Sequence, residues 1–506
     1  MLNSGMDPAR VAALRDDLAA AAFHVETLTA LWGAEADAAL RRGNRVQASR
    51  ALGGSSSPAA VLARLFVLGH EVRDAELDRA LPSVGVSGAR ELGLVNLEGA
   101  RVQPRADLRP YSFVDAEGAG EWWIASDPGE LVTGGALPVD HVLGVGGASA
   151  TLAGLQFSDL VDRALDLGTG CGIQALHARR FARTVVATDI SERALRYAQL
   201  NALLNGIDGI EFRHGDLFEP VEGERFDRIV SNPPFVITPR TEGVPAYEYR
   251  DGGREGDALV AAVVAGVARH LAPGGTAQLL GNWEYRADED GLARAGAWAR
   301  EAGLEHWIVE RERLDPALYA ETWIRDGGTR PGTPEFERMC GLWLDDFARR
   351  GVLGVGFGYL VLRRPVGEPV LQRAERQSAP LDESTGSGAH LQAALAAIDI
   401  VAPLDDDALL AMRMQVAGDV TEERSHWPGD ADPSVIVLRQ GGGLRRELRV
   451  DSALAAIIGA CDGELSLGVI IQAVADLLDA DPLALRAAVV PEVRELVADG
   501  MLAPRV

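Results

Sequence analysis

Residues 231–235 read SNPPF and close the apolar run FDRIVSN. Neither proline has an N–H to donate to a ladder, and each pushes the residue before it into extended backbone, so a strand has to stop here. What the turn offers in exchange is a pair of acceptors. The side-chain oxygen of Asn232 and the carbonyl of Pro233 can each take one N–H of a planar –NH₂ group, and Pro233 and Pro234 bring no competing backbone donor. The ring of Phe235 can stack on a planar amide or base.

A second set of residues has the spacing of a nucleoside site. LDLGTGCGIQAL, residues 165–176, ends a strand on Asp166 and runs through Gly168, Thr169, Gly170 and Gly172 into a helix. Such glycines allow a tight turn and let a ligand approach backbone at the helix N-terminus. A glycine triplet alone marks many turn–helix junctions, and what sharpens this one is the acid that follows. Nineteen residues after Gly170, TVVATDI ends a second strand on Asp189 and Ile190, where a carboxylate can accept from both hydroxyls of a ribose. HGDLF then puts Asp216 and Leu217 at the end of a third strand, in position to flank an adenine ring. A dinucleotide fold is the rival reading, but a pyrophosphate sits poorly beside the extra carboxylate of Asp166. That carboxylate suits a cation.

These strand ends need a scaffold. Between residues 126 and 365 short apolar runs (RALDLG, TVVATDI, IEFRHGD, FDRIVSN, TAQLLGN, HWIVERERL, FGYLVLRRP) alternate with helical stretches such as ERALRYAQLNALLNG. The alternation predicts an α/β fold with a doubly wound, mostly parallel sheet, whose ligands bind outside the carboxyl ends of the strands. Residues 1–125 predict a mainly helical module. Ser57 caps a helix that starts on Pro58, and three short helices followed by LVNLEGARVQP, a hairpin turning near Gly99, have the order of a winged helix. Residues 366–388, rich in Pro, Ser, Gly and Glu, read as a linker, and 389–506 as a second winged-helix-like module. Its last helix carries Asp481, Glu492, Glu495 and Asp499 against Arg486 and Arg494, a poor surface for reading DNA.

The ordered strand ends resemble those of the class I S-adenosylmethionine methyltransferases, and the cofactor's sulfonium and ammonium would answer Asp166. In members with an [N/D/S]-P-P-[Y/F/W] motif this turn receives the nitrogen to be methylated. After the motif, YEYRDGGREGDALVAAVVAGVARHLAPGG at 247–275 is similar to the HemK family, glutamine methyltransferases that modify the GGQ loop of peptide release factors. The resemblance covers roughly residues 126–285 and neither flank. It implies S-adenosylmethionine as cofactor, held by Asp166, Gly168, Thr169, Gly170, Gly172, Asp189, Ile190, Asp216, Leu217 and Asn232, with Asn232, Pro233, Pro234 and Phe235 as the catalytic turn. It implies a macromolecular substrate, either a release factor or other translation protein, or ribosomal RNA. Phe235 departs from the usual HemK tyrosine and is the commoner residue in the similar ribosomal RNA guanine-N2 methyltransferases. Pro138 and Asp140 answer to the HemK P-x-T-E segment without its Thr-Glu pair. Glutamine, guanine and adenine all stay open as acceptors. A regulator that only senses the cofactor is the alternative of a different kind, and the intact NPPF argues against it.

Composition narrows the rest. Against 74 acidic residues stand 49 basic ones, all arginine, giving a net charge of −25. That balance argues against non-specific grip on a phosphate backbone. Cys171, Cys340 and Cys461 are odd in number and far apart, so neither a disulfide framework nor a CxxC metal site is implied. The N-terminus carries acids where a signal peptide carries a basic flank, and no run is long and apolar enough for a membrane span, so a cytoplasmic protein is expected. His141, His177 and His214 lack ligand spacing, so no metal is expected. Trp122 and Trp123 read as packing residues between the N-terminal module and the sheet. Glu248 and Asp251 are the acids nearest after NPPF that could meet a substrate.

Overall fold

The computed structural model describes residues 6–133, 137–245, 250, 252–377 and 387–505. Eight strands build the central sheet: β1 Val161–Leu167, β2 Ala182–Asp189, β3 Ile210–His214, β4 Phe226–Ser231, β5 Leu271–Arg286, β6 Glu305–Leu314, β7 Val352–Arg363 and β8 Gln372–Arg376. Their order is β8-β6-β7-β5-β4-β1-β2-β3, and every neighbouring pair is parallel except the two that β7 makes. The chain leaves β1 in one direction along the sheet and returns to its other side at β4, so the switch point lies between these two strands. A ligand crevice is expected above their carboxyl ends.

The apolar runs explain both faces. In β1 and β4, Ala164 and Val230 pack toward α2 (Ile173–Arg180), whereas Leu165, Leu167 and Ile229 pack toward the valines of α4 (Ala258–His270) and the alanines of α5 (Gly291–Glu301). Side chains of successive strand residues point to opposite faces, so strands covered on both sides are apolar throughout. Helices α1 (Gly147–Leu155) and α3 (Glu192–Leu204) flank α2, and helices α6 (Pro316–Asp326) and α7 (Pro334–Arg350) fill the connection from β6 to β7.

Strand β8 corrects the expected linker. Residues 372–376 pair in parallel with β6, and a helix already starts at Ser387; residues 378–386 lie outside the described residues. QRAER holds no apolar run because this is an edge strand whose residues are tied by charge instead. Arg373 reaches Asp499 at 2.5 Å, Glu375 takes Arg446 at 2.5 Å and the Trp307 indole at 2.5 Å, and Arg376 donates to Glu310 at 3.1 Å. The C-terminal elements are therefore docked on the sheet edge.

On the N-terminal side, helices at 58–67, 74–80 and 85–91 lead into a hairpin that turns at Gly99 and pairs with a short strand at Val72–Arg73. Ser57 stands at the N-cap position as expected, but its hydroxyl makes no capping bond. A long hairpin, Asp107–Asp115 with Gly118–Ser126, then lies on α2 and α3. Asn201 of α3 and Asn205, which caps that helix, bond the backbone of Ala125 and Trp123, the Trp123 indole donates to the Phe23 carbonyl at 2.6 Å, and Trp122 packs edge-on against His177. Both tryptophans are packing residues.

The last helix of the chain, Pro482–Ala498, turns Arg494 inward to the carbonyls of Val401 and Leu404, and leaves Glu492 and Glu495 exposed. Residues 389–506 are accordingly expected to give no micromolar shift of duplex DNA in a gel assay at physiological salt, because affinity there needs phosphate contacts from free basic side chains. A micromolar complex would contradict this and favour the regulator. No helix among the described residues is long and apolar enough to cross a membrane.

Candidate active site at the strand ends

Ser231 ends β4 by donating its hydroxyl to the Leu167 carbonyl at the end of β1, at 2.7 Å. This bond sets the NPPF turn beside the glycine turn. Pro233 is buried, Asn232 and Pro234 are half-buried, and the Asn232 Oδ1 is enclosed without any hydrogen-bond partner among the described residues. An enclosed acceptor with no donor is costly unless something else supplies one. Phe235 leans against Phe357, centroids 5.4 Å apart, and meets Trp323 edge-on at 6.5 Å.

Gly252 lies directly on this turn. Gly252 has φ +53, and a Cβ there would meet Leu259 at 2.4 Å and Pro234 at 3.1 Å, so only glycine lets the chain pass. The Arg250 carbonyl accepts the Val236 amide at 2.8 Å. Glu248 and Asp251, expected near the substrate, lie outside the described residues.

Across the switch point, Asp166 is fully buried. Its Oδ2 accepts from the Thr169 hydroxyl at 2.5 Å, and its Oδ1 is enclosed and takes no hydrogen bond among the described residues. Burial pushes its carboxyl up to about 7, with the Thr169 bond opposing. Gly168 and Gly170 face open space, whereas Gly172, at φ +89, has Ala198 of α3 within 2.9 Å of where a Cβ would stand. The Asp189 carboxylate ties the turn together, taking the Gly170 amide at 2.9 Å and the Ser191 amide at 2.8 Å.

Ile190 is 55% exposed, and its carbonyl is braced by His214 Nε2 at 2.8 Å. At the end of β3, Asp216 is exposed and Leu217 is held at φ +46, an unusual conformation for leucine that persists only where the surroundings impose it. The expected residues from β1 to β4 thus gather at one edge of the sheet.

Pro138 and Asp140, the expected counterparts of the HemK upstream segment, are exposed. The buried carboxylate on that side is Asp127, which takes Arg193 Nε at 2.9 Å, the Tyr197 hydroxyl at 2.9 Å and the Val142 amide at 2.9 Å. Burial raises this carboxyl, but its bonded donors outweigh that and hold it below its ordinary value. Asp127 fastens the segment before α1 to the start of α3, a long-range role with no local signal beyond the dipeptide Asp127–Pro128. The histidines have other duties: burial among Tyr111, Phe113 and Trp122 pushes His177 down to about 3, and His141 is buried near Asp127. A cavity of about 1160 Å³ lies between the helix Val25–Trp32, the long hairpin and α1, and shares no residue with the strand-end cluster.

A family model described as "Methyltransferase small domain" matches residues 146–290. This stretch is a methyltransferase small domain. The domain holds every strand end described above. Residues 20–105 and 400–504 match two further models, described as domains of unknown function DUF7059 and DUF7782. The chain is 40% identical over 134 residues to a release factor glutamine methyltransferase of Xylella fastidiosa, covering 25% of this chain and 48% of that protein. It is 34% identical over 119 residues to a putative protein N5-glutamine methyltransferase of Methanocaldococcus jannaschii (23% and 59% covered). With a ribosomal protein uL3 glutamine methyltransferase of Bradyrhizobium diazoefficiens it shares 38% over 125 residues (23% and 39% covered). The chain spans about half the length of the curated relatives it matches.

The cofactor of such a domain is S-adenosylmethionine, and the residues present fit it. The enclosed Asp166 Oδ1, which takes no hydrogen bond among the described residues, suits a cationic group, and the open faces of Gly168 and Gly170 leave room for a ligand against backbone.

Proposed function

We propose that the protein is an S-adenosylmethionine-dependent N-methyltransferase whose acceptor is the side-chain amide of a glutamine in a protein of the translation apparatus, a release factor or a ribosomal protein. The observation that carries this reading is the enclosed, unpartnered Asn232 Oδ1 beside the Pro233 carbonyl, two acceptors at the switch point of a methyltransferase domain. The relatives named for protein glutamine methylation favour a carboxamide over a base amine, and the chain's net charge of −25 favours a protein over an RNA substrate.

When bound, S-adenosylmethionine supplies a methyl group on a positively charged sulfur, open to in-line attack by a nitrogen lone pair. The protein's task is to make an amide nitrogen a nucleophile, although its lone pair is delocalised into the carbonyl. Asn232 Oδ1 and the Pro233 carbonyl hold the two N–H groups, which turns the lone pair toward the methyl and favours the positive charge that develops on nitrogen. Phe235 supplies an aromatic face for the planar amide. Asp166 would hold the cofactor's ammonium, Asp189 its ribose, and Ile190, Asp216 and Leu217 its adenine.

Cofactor binding should then depend on pH with a definite sign. The free protein keeps a proton on Asp166 below about 7, and a cation binds only the carboxylate, so binding expels that proton. Affinity is expected to fall roughly tenfold per pH unit below that point and to level off above it. Calorimetry between pH 5 and 8 that found a flat affinity would remove Asp166 from the ammonium site.

The substrate reading is tested with a synthetic peptide carrying a release factor's GGQ loop and the same peptide with that glutamine changed to glutamate. The first is expected to gain the mass of one methylene and the second none. Methylation of both peptides would contradict transfer to the carboxamide.

A further inference from the structure

Helices α6 and α7 lie outside the methyltransferase small domain, which ends at residue 290, yet they close over the NPPF turn. Asp315 caps α6 by accepting the Ala317 and Leu318 amides, and Pro316 starts it. The apolar face so placed carries Tyr319, fully enclosed between Trp323, Trp343 and Phe347.

The hydroxyl of Tyr319 is not idle in this apolar setting. It accepts the Ile237 amide at 3.0 Å and the Asn282 side-chain amide at 2.6 Å. Asn282 belongs to β5, three residues beyond Leu279, which pairs with Ser231 at the end of β4. It therefore stands level with the turn. Among the described residues its Oδ1 has no donor, so the amide spends its bonding on the tyrosine.

One turn further along α6, Trp323 meets Phe235 edge-on, and its carbonyl takes the Arg250 guanidinium at 2.9 Å while the Arg250 carbonyl takes the Val236 amide. The first two amides after NPPF, those of Val236 and Ile237, are thus both held, one by Arg250 and one by Tyr319. At its other end the turn is held by the Ser231 hydroxyl on Leu167. The prolines fix φ at 233 and 234, so the freedom left to the turn is chiefly a swing of its downstream end. The Tyr319 bond stops that swing.

Resting on the proposed function above, we propose that Tyr319, oriented by Asn282, is a positioning residue: its hydroxyl pins the backbone after the NPPF turn and so aims the Asn232 amide and the Pro233 carbonyl at the acceptor nitrogen. A small displacement of a positioned group is enough to slow a transfer reaction severely. The roof formed by α6 is in this account part of the acceptor site, contributed by a segment outside the methyltransferase domain.

Tyr319→Phe keeps the ring and removes the hydroxyl. Hydrogen exchange is expected to quicken about tenfold or more at the Ile237 amide and to stay unchanged at the ends of β1 and β2. Methyl incorporation from tritiated S-adenosylmethionine into lysate protein is expected to fall about tenfold, with cofactor affinity by calorimetry unaltered. Asn282→Leu should give a smaller loss of the same kind. Because Tyr319 acts through the turn, adding Tyr319→Phe to Asn232→Ala should cost little further rate, whereas a general structural effect would cost the same factor in both backgrounds. Unchanged exchange at Ile237, additive rate losses, or a weakened cofactor would each overturn the inference while the parent chain still transfers label. A parent chain that transfers none overturns the functional reading first and the inference with it.

Discussion

An Asn232→Ala protein is expected to bind S-adenosylmethionine as tightly as the parent and to turn over more slowly by a factor on the order of 100 or more, the usual loss when one preorganised electrostatic partner is removed from a reacting group. The two halves of this expectation follow from position. Asn232 follows β4, whereas Asp166, Asp189 and Leu217, the residues proposed for the cofactor, end or follow β1 to β3. Its Oδ1 is already desolvated and unpartnered, so an incoming N–H donor satisfies an acceptor whose desolvation folding has already met. Asn232→Asp keeps an acceptor and adds charge, and should retain part of the activity. Steady-state rates with calorimetric cofactor affinities on the three proteins check this, and an alanine variant at the parental rate would end the catalytic assignment.

The second large effect is expected at Asp189. Replacing it by alanine removes a charged acceptor from the ribose hydroxyls, worth about 1 to 3 kcal/mol of cofactor affinity, or roughly five- to 150-fold. The loss should lie at the upper end of that range, because the same carboxylate holds the amides of Gly170 and Ser191. Without it the glycine turn loses its tie to β2. Asp189→Asn, which keeps one acceptor oxygen, should fall between the two. Calorimetry on folded protein, judged by an unchanged far-ultraviolet spectrum, makes the comparison, and parental affinity in Asp189→Ala would displace the nucleoside from this strand.

Much of the site is legible in the sequence because its chemistry is local. A glycine turn, an acid nineteen residues later and an asparagine before two prolines each sit at the end of an apolar strand, and the sheet brings such ends together whatever lies between them. The signals fail where structure is long-range or charge-built. QRAER reads as linker because an edge strand needs no apolar run, and its register on β6 is secured by Arg373, Glu375 and Arg376. Asp127 and Tyr319 carry no motif, since their partners, Arg193 and Tyr197 for one and Ile237 and Asn282 for the other, are far away in the chain. Asp315 and Pro316 announce a helix. They do not announce that it roofs the acceptor turn.

Transfer to a planar amide nitrogen of a protein is tested by incubating the chain with tritiated S-adenosylmethionine and cell lysate and then separating protein from RNA. Label is expected in protein, carried on glutamine as N-methylglutamine after digestion, and lost with Asn232→Ala. Label confined to RNA, or no transfer at all by a protein that binds the cofactor, would contradict it.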